Sequence, residues 1–403
     1  MRLGDICSKI GSGATPRGGK EAYSASGIPI IRSQNVLDWS FSSNGLAYLN
    51  DEQARTLSNV EVHQGDILLN ITGDSVARAC IVPSDVIPAR VNQHVAILRP
   101  KEKANATFIL AWLQTNKDLL LKLASSGATR NALTKRMLEG LDINPPSIDI
   151  QNHIAALISL IQSKINLNIK LNGYLLELAT TRFEQALFKS NRVVRLGDIV
   201  KLEDSKRVPL NSRDRDARKG PYPYYGATSI MDYVDDYLFD GIRVLLGEDG
   251  SVIDESGRPI LQYVWGKYWV NNHAHILAAA SDYSLEAIYI ALQRTPISHI
   301  VTGAVQRKIS QRNLNKLKLE MPDAKSLEYL QDIFAAYRCN CEENRGLVSL
   351  RDALLPKLMS GEIDVSKIDV AQLNSHLEKR KAAASVLSLI FPIALPGLWS
   401  PMQ

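Results

Sequence analysis

Cysteine is scarce in this chain, with four in 403 residues: Cys7, Cys80, Cys339 and Cys341. The last two lie in a helical pattern with no histidine nearby, so neither a disulfide framework nor a zinc site is supported, and a reducing, cytoplasmic setting is expected. Long apolar runs are missing as well. The most apolar stretch, 385–399, is interrupted by Pro392, Pro396 and Gly397. It falls short of the ~20 residues of a membrane helix, so no membrane partner is expected, and 370–403 are expected to form a poorly ordered tail. The opening MRLGDICSKIGSG continues into polar, glycine-rich sequence, unlike a secretory signal. Neither sign of charge dominates: 47 basic against 42 acidic residues leave +5, which suits an acidic polymer without requiring one.

Catalytic patterns fail on inspection. GSGATPRGGK (11–20) approaches a phosphate-binding loop, but Ala14 stands where the first glycine belongs and Glu21 where a magnesium-reaching hydroxyl belongs. NPPS (144–147) approaches the motif with which amino-methyltransferases hold a flipped base, but Ser147 offers no ring for stacking. The seven histidines and the scattered acids show no metal or triad spacing. No metal, cofactor or catalytic residue is expected in this chain, which argues against an enzyme acting on nucleic acid.

A repeat is present instead. Arg-Leu-Gly-Asp-Ile occurs at 2–6 and again at 195–199, an offset of 193. VNQHVAIL (91–98) pairs with VNNHAHIL (270–277) at 179, and GATRNALTKRMLEGLDINPP (127–146) with GAVQRKISQRNLNKLKLEMP (303–322) at 176. Sustained self-similarity over most of a domain means two copies of one unit, and 45% apolar residues suffice for each to build a core. His94 and His273, equivalent in the copies, read as a core or turn feature in preference to a ligand.

After each copy comes a helical pattern with apolar positions three and four apart: Ile154, Ile158, Ile161, Ile165, Asn168, Asn172 and Leu175, then Leu330, Phe334, Tyr337, Cys341, Asn344 and Val348. That spacing is a coiled-coil seam, with an asparagine at the same place in both. Two readings of Asn168 and Asn344 stand: a buried device that fixes register, or a solvated irregularity in an ordinary bundle. As one helix, 149–188 would span about 60 Å, the length of roughly 17 base pairs, and would act as a spacer. Asn172-Gly173 leaves open a break into two shorter helices.

Basic loops recur at equivalent places. Arg130, Lys135 and Arg136 occur in 127–136, and Arg307, Lys308, Arg312, Lys316 and Lys318 in 303–318. One such run is usually a solvated face, whereas a duplicated pair points to phosphate contacts. Arg32-Ser33-Gln34-Asn35, Thr72 to Ser75 with Arg78, and Tyr222, Tyr224 and Tyr225 with Thr228 carry groups able to address base edges.

GSGATPRGGKEAYSASGIPIIRSQNV, GDILLNITGDSVARACIV, VNQHVAIL and LRDALLPKLMSGEIDV (350–365) resemble the specificity (S) subunits of Type I restriction-modification systems, over about residues 1–369. The resemblance implies an α+β fold: target-recognition domains at 1–147 and 191–322, and conserved helices at 148–190 and 323–369 paired as an antiparallel coiled coil. It implies a non-catalytic subunit that reads a bipartite target in double-stranded DNA. Two methyltransferase (M) subunits would dock on the helices, with restriction (R) subunits reached through them. S-adenosylmethionine, ATP and Mg would be bound by those partners. DNA contacts are implied near Thr15, Arg17, Arg32, Ser33, Gln34, Asn35, Thr72, Ser75, Arg78, Thr129, Arg130 and Lys135. In the second domain they fall near Tyr222, Tyr224, Tyr225, Thr228, Ser251, Gln306, Arg307 and Lys308. The alternative is a stand-alone two-module DNA-binding regulator, which would need no large apolar surface once the two seams pair.

Overall fold

The computed structural model describes residues 1–16, 18, 22–125, 131–303 and 306–367. The expected tail lies outside them. The chain divides into two compact units, Met1–Ile169 with the stretch from Glu342 onward, and Lys170–Cys341. Each unit thus contains one copy of the repeat and part of both long helices. No helix among the described residues is long and apolar enough to cross a membrane.

In the first unit an antiparallel sheet runs in the order Cys7–Ser12, Val95–Pro100, Ile67–Asn70, Ala79–Ile81. A second sheet is ordered Ala47–Leu49, Ile28–Ile31, Ala89–Val91, Glu61–Val62, its middle pair parallel. The strand Ile67–Asn70 is buried at every position. Ile67 and Leu69 join a core with Leu3, Ile109 and Ile143, while Leu68 joins Ile30, Val91 and Ile97. A strand covered on both faces needs a continuous apolar run in place of alternation, which is why ILL stands there.

The second unit repeats these two sheets strand for strand and adds two short two-stranded sheets, Val301–Thr302 with Lys308–Ile309 and Arg192–Arg195 with Lys318–Met321. Its first sheet is ordered Val200–Leu202, Ala274–Ala279, Arg243–Gly247, Leu261–Val264, and its second Ile230–Val234, Lys219–Tyr225, Lys267–Val270, Phe239–Asp240, again with a parallel middle pair. Val244 and Leu246 face one core and Leu245 the other. The repeated RLGDI has a structural role in both: Leu-Gly-Asp-Ile forms one helical turn, Leu3–Ile6 and Leu196–Ile199, with leucine and isoleucine buried. The glycine lets that turn approach a short helix closely, because a Cβ at Gly197 would lie 2.9 Å from the Asn315 Cβ.

The central helix, Ile148–Lys189, runs unbroken through Asn172-Gly173; the C-terminal helix is Tyr329–Ser360. In the first unit Ile154, Ile158, Ile161 and Ile165 are buried. Asn168 Nδ2 donates to Asn344 Oδ1 and Glu343 Oε2, both at 2.9 Å, and Arg351 reaches Gln162. Numbers rise along one helix as they fall along the other, so the pairing is antiparallel. The repeat-equivalent asparagines meet each other, which favours the register-fixing reading over a solvated irregularity. In the second unit Leu330, Phe334 and Tyr337 are buried and Cys341 half-buried, and Asn172 exchanges hydrogen bonds with the Tyr337 carbonyl and the Asn340 amide. Beyond Asn172 the buried stripe moves to Tyr174, Ala179 and Phe183, leaving Leu175 half-exposed.

Candidate nucleic-acid interface

Gln306, Arg307 and Lys308 are exposed and form the basic loop of the second module. Gly303 opens it with φ +89°, and a Cβ there would sit 2.1 Å from the Gln306 carbonyl, so only glycine permits the turn. Lys308 Nζ lies 3.2 Å from Glu248 Oε1. In the first module the positions matching Arg307 and Lys308 are Asn131 and Ala132; its exposed basic residues Lys135 and Arg136 lie further on, in the short helix Lys135–Glu139, and match Gln311 and Arg312. Lys135 pairs loosely with Glu139 at 3.5 Å, a surface contact that water and salt weaken. Thr129 and Arg130, like Arg17, lie outside the described residues.

Backbone hydrogen bonds anchor both loops in the same way. In the first module Ile71 N–H donates to the His94 carbonyl and Leu133 N–H to the Ile71 carbonyl; in the second, Glu248 N–H donates to His273 and Ile309 N–H to Glu248. The histidine is a turn feature, as expected: His94 and His273 N–H donate to Asn92 and Asn271 side chains two residues earlier. The side chains engage too. His94 Nδ1 lies 2.6 Å from Thr72 Oγ1, and His273 Nδ1 lies 2.6 Å from Asp249 Oδ1.

Several sequence candidates are corrected. Asn35 is fully buried; its Nδ2 donates to the Ser42 and Asn44 carbonyls and its Oδ1 accepts from Arg32 N–H. It braces the loop and has no free edge for adenine. Tyr224 is buried with its hydroxyl accepting from Leu210 N–H, and Tyr225 is buried edge-on against Tyr268. Adjacent strand residues point to opposite faces, and here both faces are covered: Tyr224 joins Val234 and Trp269, and Tyr225 joins Phe239, Val264 and Tyr268. Arg32 is half-buried, bonded to the Gly45 carbonyl and stacked on Tyr23. Gln34 is exposed while sharing that carbonyl. Thr15, Ser33, Thr72, Ser75, Arg78 and Tyr222 are half-buried, and Thr228 and Ser251 are exposed.

Beneath the second loop lies a charged network. Asp204, buried, accepts from His275 Nδ1 at 2.5 Å, Gln311 Nε2 at 2.6 Å and Ile276 N–H at 2.8 Å. Burial alone would raise its pKa, but the His275 contact, the backbone donor and Arg207 outweigh it and hold the carboxyl below its ordinary range. Glu248 behaves alike: burial opposes ionisation, while Arg207 at 2.6 Å, His275 and Lys308 hold it below the usual range. Asp204, Glu248 and His275 have their ligand atoms within 4.8 Å of one another, the one such cluster found among the described residues. Arg207, Lys308 and Gln311 already occupy those oxygens, a donor set that fits an internal ion network better than a metal. Sequence reasoning missed it because Asp204, Glu248, His275 and Gln311 are tens of positions apart; the one visible signal was a histidine inside the apolar strand Ala274–Ala279.

The duplicated sheets and antiparallel helices define a two-module protein built from one unit used twice. Residues 1–175 and 189–337 each match the Type I restriction modification DNA specificity domain, and the chain belongs to that family. It carries two DNA specificity domains. It is 22% identical over 411 residues to the Type I restriction enzyme MjaIX specificity subunit of Methanocaldococcus jannaschii, covering 91% of this chain and 94% of that protein. It is 30% identical over 127 residues, 32% of either protein, to a putative type I restriction enzyme specificity subunit of Haemophilus influenzae. Its fold is similar to a crystal structure of a Type-I restriction-modification S subunit from M. genitalium, with a TM-score of 0.51, 15% identity, and coverage of 89% of this chain and 95% of that one.

Proposed function

We propose that this chain is the sequence-reading subunit of a Type I restriction-modification complex. Each module reads one part of a split duplex target, and the long helices set the spacing of the parts and carry methyltransferase subunits, through which restriction subunits join. In this reading S-adenosylmethionine, ATP and Mg belong to the partners, and the chain itself does no chemistry. The observation that carries it is the backbone ladder common to both modules, which in each lies beside exposed basic side chains: Lys135 and Arg136 just after Leu133 in the first, Arg307 and Lys308 just before Ile309 in the second. Phosphate contacts at such loops supply affinity, and neighbouring side chains supply sequence.

The test is selection of duplexes from a random pool by the full chain. A two-part consensus with a fixed gap is expected, whereas an undivided motif or no preference would overturn the reading. Arg307→Ala with Lys308→Ala should weaken binding and lower the slope of log affinity against log salt by about 0.9 for each lost phosphate contact. An unchanged slope would make this loop a solvated face.

A further inference from the structure

We propose that His94 and His273 are positioning residues, each clasping the strand end that carries a DNA-facing loop, so that each governs recognition of one half-site only. The inference rests on the DNA-reading function above and goes beyond it in assigning these roles. In the first module the His94 ring meets Thr72, whose residue bridges to Ala132 in the backbone leading to Lys135 and Arg136. Gln93 Nε2, an amide nitrogen that only donates, lies 3.2 Å from His94 Nε2. In the second module the His273 ring meets Asp249, which bridges to Lys308, and the adjoining Gly250 N–H donates to the Arg307 carbonyl at 3.0 Å.

The geometry explains why a histidine recurs where the neighbouring residues change. The Asn-x-His turn alone would hold the backbone of Ile71 or Glu248, since those bonds use main-chain atoms. The ring adds a second tie, one residue further on, to the side chain of the residue facing the loop. Two ties fix the strand end against twisting, so the loop keeps one orientation before DNA arrives and pays less ordering entropy on binding. Neither ring is required to touch DNA.

The experiment uses the full chain and duplexes selected by the wild type. His273→Ala is expected to lower affinity roughly tenfold and to blur discrimination in one half-site alone, and His94→Ala to lower it roughly threefold and blur the other, since a bond to a carboxylate is stronger than one to a hydroxyl. His→Asn at either position places a side-chain amide, able to donate or accept, where Nδ1 was and should restore most of the loss, which a merely space-filling role would not allow. In the Arg307→Ala, Lys308→Ala background, His273→Ala should have little further effect, because the loop it orients no longer contributes. Full affinity in both alanine variants, loss spread over both half-sites, or failure of asparagine to rescue would overturn the assignment. A wild-type chain that selects no consensus would instead overturn the DNA-reading function itself.

Discussion

The two modules share a frame and differ in what fills it. In the first, Ser12 stands opposite Ala96 two residues beyond the Ile10–Leu98 pair; in the second, the position two residues beyond the Leu202–Leu277 pair holds Asp204 against His275, inside a buried ionic network. The seam differs likewise. Phe334 in the second module packs on Tyr263, Tyr289 and Tyr337 with ring centroids 4.9 to 6.2 Å apart, whereas its repeat equivalent, Ile158, is an aliphatic residue in a core made mostly of aliphatic side chains, with Trp39 and Phe108 among them. The backbone ladder that presents the loop is common to both. Side-chain support beneath a fixed ladder is therefore free to vary, and a mostly aliphatic seam and an aromatic one over a buried ionic network hold the same geometry.

That comparison predicts unequal sensitivity. Phe334→Ala should destabilise the second module by about 3–5 kcal/mol, as expected for emptying a fully buried aromatic site, and Ile158→Ala should destabilise the first by about 2–5 kcal/mol, with the larger loss at the ring. Denaturant unfolding followed with a probe in each module would resolve the two transitions. Equal losses, despite the larger ring removed at Phe334, would show that the aromatic contacts contribute no extra stability.

Acid should separate the modules more finely. Asp204 and Glu248 are held below their ordinary values of 3.8 and 4.5, so the stability they contribute is present above those values and lost as pH falls through the lower folded values. The second module should lose stability over this range beyond what ordinary carboxylates explain. Asp204→Ala, which strands His275 without its carboxylate, should cost about 3 kcal/mol near neutrality and abolish much of that extra acid sensitivity. An acid profile unaltered by Asp204→Ala would place the sensitivity elsewhere.

The frame was far more legible in the sequence than the surface. A duplication leaves its offsets in plain view, and apolar spacing of three and four marks a helix seam through Ile154 to Ile165 and Leu330 to Tyr337 because burial selects residue type at every contact. Charge marked Arg307 and Lys308 because such groups seldom leave water. Residue type could not say which way Asn35, Tyr224 and Tyr225 point, since an amide or phenol serves a loop carbonyl as readily as a base edge. The Asp204 network was illegible for another reason: its members meet only after Val200–Leu202 pairs with Ala274–Ala279 and Gln311 folds back.

The smallest predicted effect concerns the feature that left the helix reading open. Gly173 and Gly346 lie inside the central and C-terminal helices, and a Cβ at either would meet no atom within 4 Å, so neither glycine is demanded by close packing. A glycine in a helix interior costs backbone entropy that alanine does not. Gly173→Ala and Gly346→Ala should therefore each stabilise the protein by about 0.5–1 kcal/mol, the first in the second unit and the second in the first. Thermal or denaturant unfolding measures this directly, and DNA binding supplies the control. If either substitution destabilises, the helix bends at that glycine in solution. If stability rises while affinity falls, the glycine is kept for a movement made when the two modules engage their half-sites.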